Sequence, residues 1–428
     1  MEAIKSAHVP AKRINVIDAL RGFALLGVIL IHMLQYFGYS TVNTHEISRF
    51  PLLDRIVQIL ANNIIAGRFI NIFSFLFGLS FFIQMDRASK KGIDFRSRFL
   101  WRMVILFVIG LVGTMFTYMD ILTIYAFFGL FLVLLFPLKN WLLIILTGLI
   151  LSGLPLMTIT GFDNITLKKS VPVSYDMPSE SFSKSEIAEI TANENEAFNN
   201  RTFFGTAKDN LTNKTKDKLK FQFALSSRGY VTFALFLLGL LVGRSGFFEK
   251  VSIRRKKNII LLAGFFIASV VIEVIGKIIT PSEPINLLMH ISLGQLVPLS
   301  SIVTSTLNDL GSLTESGILV MGFIVLYQTK AFGKYLDILS SYGRMGLTNY
   351  EIQNITGAIL FSTWGFGSFF GKLGFTELFI LGLIIYILQI IISRQWMKHF
   401  LYGPLEWLWR SGTYMKWQPF TRRKTINI

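Results

Sequence analysis

The 428-residue chain is 52% hydrophobic and 16% charged, with 40 Phe, no Cys and a formal net charge of +17. So apolar a composition excludes an ordinary soluble domain, and the lack of Cys excludes disulfides, thiolate nucleophiles and thiolate metal sites. The positive charge would suit a nucleic-acid binder, but the basic residues lie in short segments between apolar runs, where they report membrane topology and no nucleic-acid partner.

A bilayer core is crossed by roughly 20 mostly apolar residues. Ten such segments are predicted, at about 17–38, 64–84, 100–118, 120–137, 141–160, 228–243, 258–279, 313–328, 347–368 and 374–394. The fold class expected is an all-α integral membrane bundle of about ten transmembrane helices, with a polar outer insertion between spans five and six. The first segment has no small-residue cleavage site and reads as a retained span. Spans three to five are joined by almost no connector and form tight hairpins.

Residues 161–227 are polar and nearly balanced in charge, and read as an outer insertion of short amphipathic helices. The expected organisation is therefore an N-terminal membrane half over 1–160, this insertion, and a C-terminal membrane half over 228–428. Residues 285–308 are apolar but interrupted by His, Gln, Pro and Ser, and are expected to form an outer interfacial or re-entrant helix. The C-terminal run Tyr402 to Arg410, rich in Trp, reads as an interfacial anchor. With the N-terminus inside, 26 of the 42 Lys and Arg fall in inner segments, and the short outer loops hold only Arg49, Arg55 and Lys372. Both termini are expected to be cytoplasmic in a bacterial-type cell membrane.

Ionisable groups within a span are costly and mark functional candidates. The first span carries Asp18, Arg21 and His32; Arg21 and His32, eleven residues apart, share a helix face with a separation of about 16 Å. In the second span Asn71, Ser74 and Gly78 form a small polar stripe suited to helix packing, while Arg68 lies at the depth of His32. Asp120 caps the hairpin between spans three and four on the same outer side. The ninth span begins with Thr348, Asn349, Glu351 and Asn354, which must face inward; a buried Glu351–Arg21 ion pair is expected there, with a purely structural polar clamp as the alternative. Glu273 and Lys277 are one turn apart and pair locally.

The pattern Asp18-Ala-Leu-Arg21-Gly22 … His32, the Phe73–Gly78 run, Gly343–Tyr350 and Gly403–Arg410 together resemble the YeiB family, whose C-terminal half is domain-of-unknown-function family 418. The first helix is also similar to the membrane acyltransferase superfamily, which includes acyltransferase family 3 and the heparan glucosaminide acetyltransferases. That resemblance implies transfer of an acyl group, usually acetyl, from cytosolic acetyl-coenzyme A or another acyl-coenzyme A to an envelope or exported acceptor across the membrane, with no metal. The Arg21-to-His32 spacing reproduces that of acyltransferase family 3. YeiB-like sequences instead set an amide at the position of His32 and a His in the next outer loop, here His45, so two imidazoles are candidates. Burial in a helix favours His32 as base or nucleophile, with Arg68 or Asp120 as its orienting partner. The expected catalytic set is thus His32, Arg21, Asp18 and His45, and the expected substrate-binding set Arg68, Asn71, Asp120, Asn349, Glu351 and Asn354. The expected partners are the lipid bilayer, the acyl donor, the acceptor and, as an open case, a second copy in a homodimer. The alternative function is a multi-pass transporter for a small solute, since a polar line through a bundle also describes a solute path.

Overall fold

The computed structural model describes residues 14–39, 49–170, 202–279 and 296–422. Their regular structure is helical, apart from an isolated bridge between Phe400 and Thr421. In chain order the helices are α1 (Asn15–Leu34), α2 (Pro51–Leu60), α3 (Arg68–Ser89), α4 (Arg96–Phe116), α5 (Leu122–Leu135), α6 (Asn140–Leu151) and α7 (Leu154–Ser170). The insertion contributes α8 (Phe203–Asp209) and α9 (Thr215–Lys220), joined by π-helical turns. There follow α10 (Arg228–Arg244), α11 (Arg255–Ile279), α12 (Leu299–Tyr327), α13 (Lys330–Leu336), α14 (Ile338–Arg344), α15 (Gly346–Phe361), α16 (Gly367–Phe370), α17 (Phe375–His399) and α18 (Pro404–Tyr414).

The ten predicted segments all fall on helices. Among the described residues six helices are long and apolar enough to cross a bilayer, and up to eight spans result if each bent pair, α6 with α7 and the α8–α9 run with α10, counts as one. Helix α5 has 14 residues and α15 has 16, short of a full crossing. The chain is an integral membrane protein. Its polar interruption at 285–308 resolves differently from the expectation: Leu299 to Tyr327 is one 29-residue helix, so the Ser-containing part continues into the next span, while residues 285–295 lie outside the described residues.

Helix α1 is apolar on most of its surface apart from Asp18, Arg21 and His32, and 78% of its 18-residue apolar window is buried, as befits a central helix. It packs on α14, α17 and α3. Two glycines allow the closest of these contacts: a Cβ on Gly22 would stand 2.6 Å from the Leu339 carbonyl oxygen, and one on Gly343 would overlap the Asp18 carbonyl. Gly78 of α3 and Gly239 of α10 bring those two helices together in the same way, each facing the other's backbone. The small stripe on α3 thus does the packing its spacing suggests. Asn71 donates to Ser312 and Ser316 of α12 at 3.1 Å each and accepts from Arg228 of α10 at 3.2 Å, while Ser74 sits 2.6 Å from the Tyr125 hydroxyl of α5.

The first turns of α1 and α4, the last turns of α3 and the C-terminal α18 come together at one end of the bundle, called here the basic end. His32, the α4–α5 hairpin and the insertion lie toward the opposite end. There Asn210 donates to the Met115 carbonyl at 3.4 Å and Lys218 Nζ to the Asp120 carbonyl at 3.0 Å, fastening the insertion over the hairpin.

Candidate active site

Two contiguous cavities open at the basic end. The outer one, about 630 Å³, is lined by Arg21, Arg87, Lys91, Arg98, Arg102 and Arg410 against a single acid, Asp18. The inner one, about 300 Å³, shares Arg21, Ser80, Gln84, Arg102, Tyr402 and Arg410 with it and continues between Phe73, Phe77, Phe99, Met103 and Leu106 to Tyr125 and Tyr350. A strongly cationic mouth therefore leads into a narrow apolar chamber with two phenols among its walls.

The arginines differ in what holds them. Arg21 donates to Asp18 at 2.6 Å and to Ser80 at 2.6 Å, so its charge is balanced within the protein. Arg344 donates to the Leu401 carbonyl at 3.3 Å. Arg102 and Arg410 instead rest on aromatic faces: Arg102 lies 3.6 Å from the Trp409 ring centroid, and Arg410 lies 5.1 Å from that of Tyr402 and 5.4 Å from that of Tyr414. Their buried Nε atoms have no hydrogen-bond partner, and among the described residues no carboxylate forms an ion pair with either. Glu406, which also lines the inner cavity, acts on Arg102 through space without contacting it, and guanidinium groups set over aromatic rings with no ion-pair partner in contact suit a phosphate or diphosphate.

The C-terminal motif, expected to be an interfacial anchor, builds this wall. Trp409 Nε1 donates to the Arg102 carbonyl at 2.8 Å and Trp101 Nε1 to the Gly412 carbonyl at 3.1 Å, docking α18 on α4. Glu406 accepts from Leu347 N at 2.7 Å, Thr348 N at 3.1 Å and Thr348 Oγ1 at 2.6 Å, capping the first turn of α15 from across the cavity.

Beyond the inner chamber, toward the opposite end, lies a second polar cluster. Asp120, fully buried, accepts from Leu122 N at 3.0 Å and from Asn354 Nδ2 at 3.2 Å. The Glu351 carboxyl stands beside Asp120 and accepts from Asn354 at 3.5 Å. The Tyr350 hydroxyl accepts from Ile121 N at 3.0 Å and lies against Asp120, Glu351 and Asn354. Glu351 Oε1 and Asn354 Oδ1 are buried without a hydrogen-bond partner.

Of the residues expected from sequence, the structure brings together Asp18 with Arg21, and Asp120 with Glu351 and Asn354. The expected Glu351–Arg21 pair does not form. The chain breaks helix at Met345, so α14 packs on α1 while α15 diverges and aims Glu351 at Gly113 of α4. Neither Arg68 nor Asp120 orients His32. Arg68 is held by Glu315 at 2.6 Å and by the Asn62 and Ala66 carbonyls, and the His32 ring meets Phe37 edge-on at 5.2 Å. His32 is 7% exposed, with Nδ1 unpartnered. Asn349 donates to Ser393 and to the Tyr342 carbonyl, tying α15 to α17 and α14 away from the cavities. His45 lies outside the described residues. Glu273 and Lys277 pair as expected, at 2.6 Å on the surface of α11. Sequence reasoning gave no site role to Arg102, Arg410, Tyr350 or Tyr125, although Tyr350 and Arg410 close the motifs that carried the family resemblance and Arg102 stands just inside the apolar segment at 100–118.

Residues 13–175 match the family model described as heparan-alpha-glucosaminide N-acetyltransferase, catalytic, and residues 242–416 match protein of unknown function (DUF418). An uncharacterized 39.9 kDa protein in the amylase 3' region of Bacillus acidopullulyticus is 27% identical over 418 residues, 96% of this chain and 97% of that protein. Uncharacterized protein YxaH of Bacillus subtilis (strain 168) is 25% identical over 97% of this chain and 98% of its own length. Uncharacterized protein YeiB of Escherichia coli (strain K12) is 35% identical over 80 residues, 19% of this chain and 20% of that one. No solved structure matches the chain significantly. The chain is a distant relative of YeiB, and its N-terminal match is to a membrane acyltransferase-like family.

Proposed function

Because the chain joins a heparan-glucosaminide-acetyltransferase-like N-terminal region to a C-terminal DUF418 region, we propose that it is an integral-membrane acyltransferase taking its acyl group from cytosolic acyl-coenzyme A. The observation that carries this reading is the pair Arg102 and Arg410, two guanidinium groups set over aromatic rings with no ion-pair partner in contact among the described residues, in the mouth of a chamber that continues to Tyr350. A phosphorylated nucleotide fits the cationic outer cavity, and a flexible thioester arm fits the apolar inner one. Arg21, held by Asp18 and Ser80 where the cavities meet, steers the arm inward. The acyl group is probed first as acetyl, and its acceptor is an envelope or exported hydroxyl or amine reached from the opposite end. Two buried groups lie on that side of the chamber, His32 and the Asp120–Glu351 cluster.

Titration calorimetry of purified protein with acetyl-coenzyme A tests the reading. Binding is expected, and Arg102→Ala or Arg410→Ala should each weaken it by about 1.5 to 3 kcal/mol, roughly tenfold to a hundredfold in Kd, as for loss of a charged hydrogen bond. Arg102→Lys keeps the charge but not the stacked plane and should fall between wild type and Ala. A wild-type protein that binds no acyl-coenzyme A would move the solute-transporter reading to first place.

A further inference from the structure

The family resemblance points to an imidazole as the reacting group, yet the buried polar atoms nearest the inner chamber belong to other residues. Tyr350 lines the chamber, and its hydroxyl reaches the Asp120 carboxylate on the chamber's far side. Asp120 accepts hydrogen bonds from the Leu122 N–H and the Asn354 amide, with the Lys218 ammonium nearby. Glu351 stands beside it with no cation paired to it among the described residues, and two carboxyls set side by side in a buried site favour sharing one proton. Glu351 Oε1 has no hydrogen-bond partner, and α4 gives the carboxyl its room only because residue 113 is Gly: a Cβ there would lie 2.6 Å from Glu351 Oε2. His32, by contrast, lines neither cavity, and no polar side chain among the described residues orients its ring.

We infer that Tyr350, backed by the Asp120–Glu351 pair, takes the proton of the acyl acceptor. This rests on the acyl-transfer reading and assigns the residues that serve it. The acceptor hydroxyl or amine attacks the thioester carbonyl carbon; its proton passes to Tyr350 Oη as the Tyr350 proton passes to Asp120. The carbon–sulfur bond breaks, the sulfur leaves with the electron pair, and solvent in the cationic cavity protonates the thiolate. Asp120 later returns one proton to solvent, so the net change is acyl-thioester plus acceptor giving acylated acceptor plus free thiol. Tyr350 is the catalytic residue here, and Asp120 and Glu351 act through it as positioning and proton-holding groups.

The test uses the full chain. Membranes containing it receive acetyl-coenzyme A labelled in the acetyl group, label passing to membrane and envelope material is followed, and acetyl-coenzyme A binding is measured on the purified protein. Tyr350→Phe, Asp120→Asn and Glu351→Gln are expected to lower kcat by roughly 10² or more, as for loss of an acid–base group, with Kd and KM for acetyl-coenzyme A nearly unchanged. Tyr350→Phe removes one hydroxyl and leaves the ring in place, so it decides the matter even if Asp120→Asn does not fold. Wild-type transfer by Tyr350→Phe, or loss of transfer in His32→Asn alone, overturns the inference while donor binding leaves the acyltransferase reading standing. Failure of the wild type both to bind and to transfer ends that reading itself, a distinct pattern.

Discussion

Gly113 shows how one missing side chain shapes the site. On the buried face of α4, a Cβ at this position would lie 2.6 and 2.8 Å from the two Glu351 carboxylate oxygens, so an alanine must push the carboxyl away from Asp120 or separate α4 from α15. Both outcomes cost energy, because cores respond to added volume by shifting neighbours out of their preferred rotamers. Gly113→Ala is expected to lower stability by about 1 to 3 kcal/mol, read as a lower melting temperature in detergent. It should reduce turnover while sparing acetyl-coenzyme A binding, since Arg102 and Arg410 are at the other end of the chamber. An unchanged melting temperature and turnover would mean that Glu351 is free to move and is not held where the structure has it. Gly22 and Gly343 obey the same logic one helix over, which gives a packing reason for two glycines of the motifs that carried the family resemblance.

At the scale of elements, the first turn of α15 depends on a residue far along the chain. Glu406 of α18 accepts from the Leu347 and Thr348 amides and the Thr348 hydroxyl, meeting donors that the start of a helix leaves open. Glu406→Ala removes these bonds at once and is expected to cost about 1 to 3 kcal/mol in stability. It should also weaken acetyl-coenzyme A binding, because α18 carries Arg410 and, through Trp409, supports Arg102. Wild-type stability and affinity in that variant would separate α18 from the cavity wall. How much of this was legible in the sequence follows from what a linear pattern can carry. The inward face of α15 was readable, because Thr348, Asn349, Glu351 and Asn354 within an apolar stretch permit no lipid-facing solution, and all four are buried. Their partners were not. The break at Met345 turns α15 away from α1, and no periodicity within one helix specifies which neighbour it will face. Arg102 and Arg410 were hidden for another reason: each flanks an apolar run, where an arginine reads as a topology signal, and only the docking of α18 on α4 joins them.

For the molecule as a whole, the cavity ties mechanism to orientation. Ile14 and Ile17 at the start of α1 line the same cavity as Tyr402, Arg410 and Tyr414 near the other end of the chain, so both ends of the described chain lie at the basic end. The basic clusters Arg87–Arg102, Arg244–Lys257 and those after Ser393 flank that end, and short loops rich in Lys and Arg are retained in the cytoplasm. On the proposed acyl transfer the donor is cytosolic and charged, and the cationic mouth then has to face inward. The insertion, fastened over the α4–α5 hairpin by Lys218 and Asn210, would then lie outside. Reporter fusions after Ile428 and within the insertion check this: a cytoplasm-active reporter should signal at the C-terminus and an export-dependent reporter between residues 171 and 201. The opposite pair of signals would turn the arginine-lined cavity outward, remove its access to acyl-coenzyme A, and leave the Asp120–Glu351 cluster facing the cytosol, a geometry in which transfer from a cytosolic donor could not begin at Arg102.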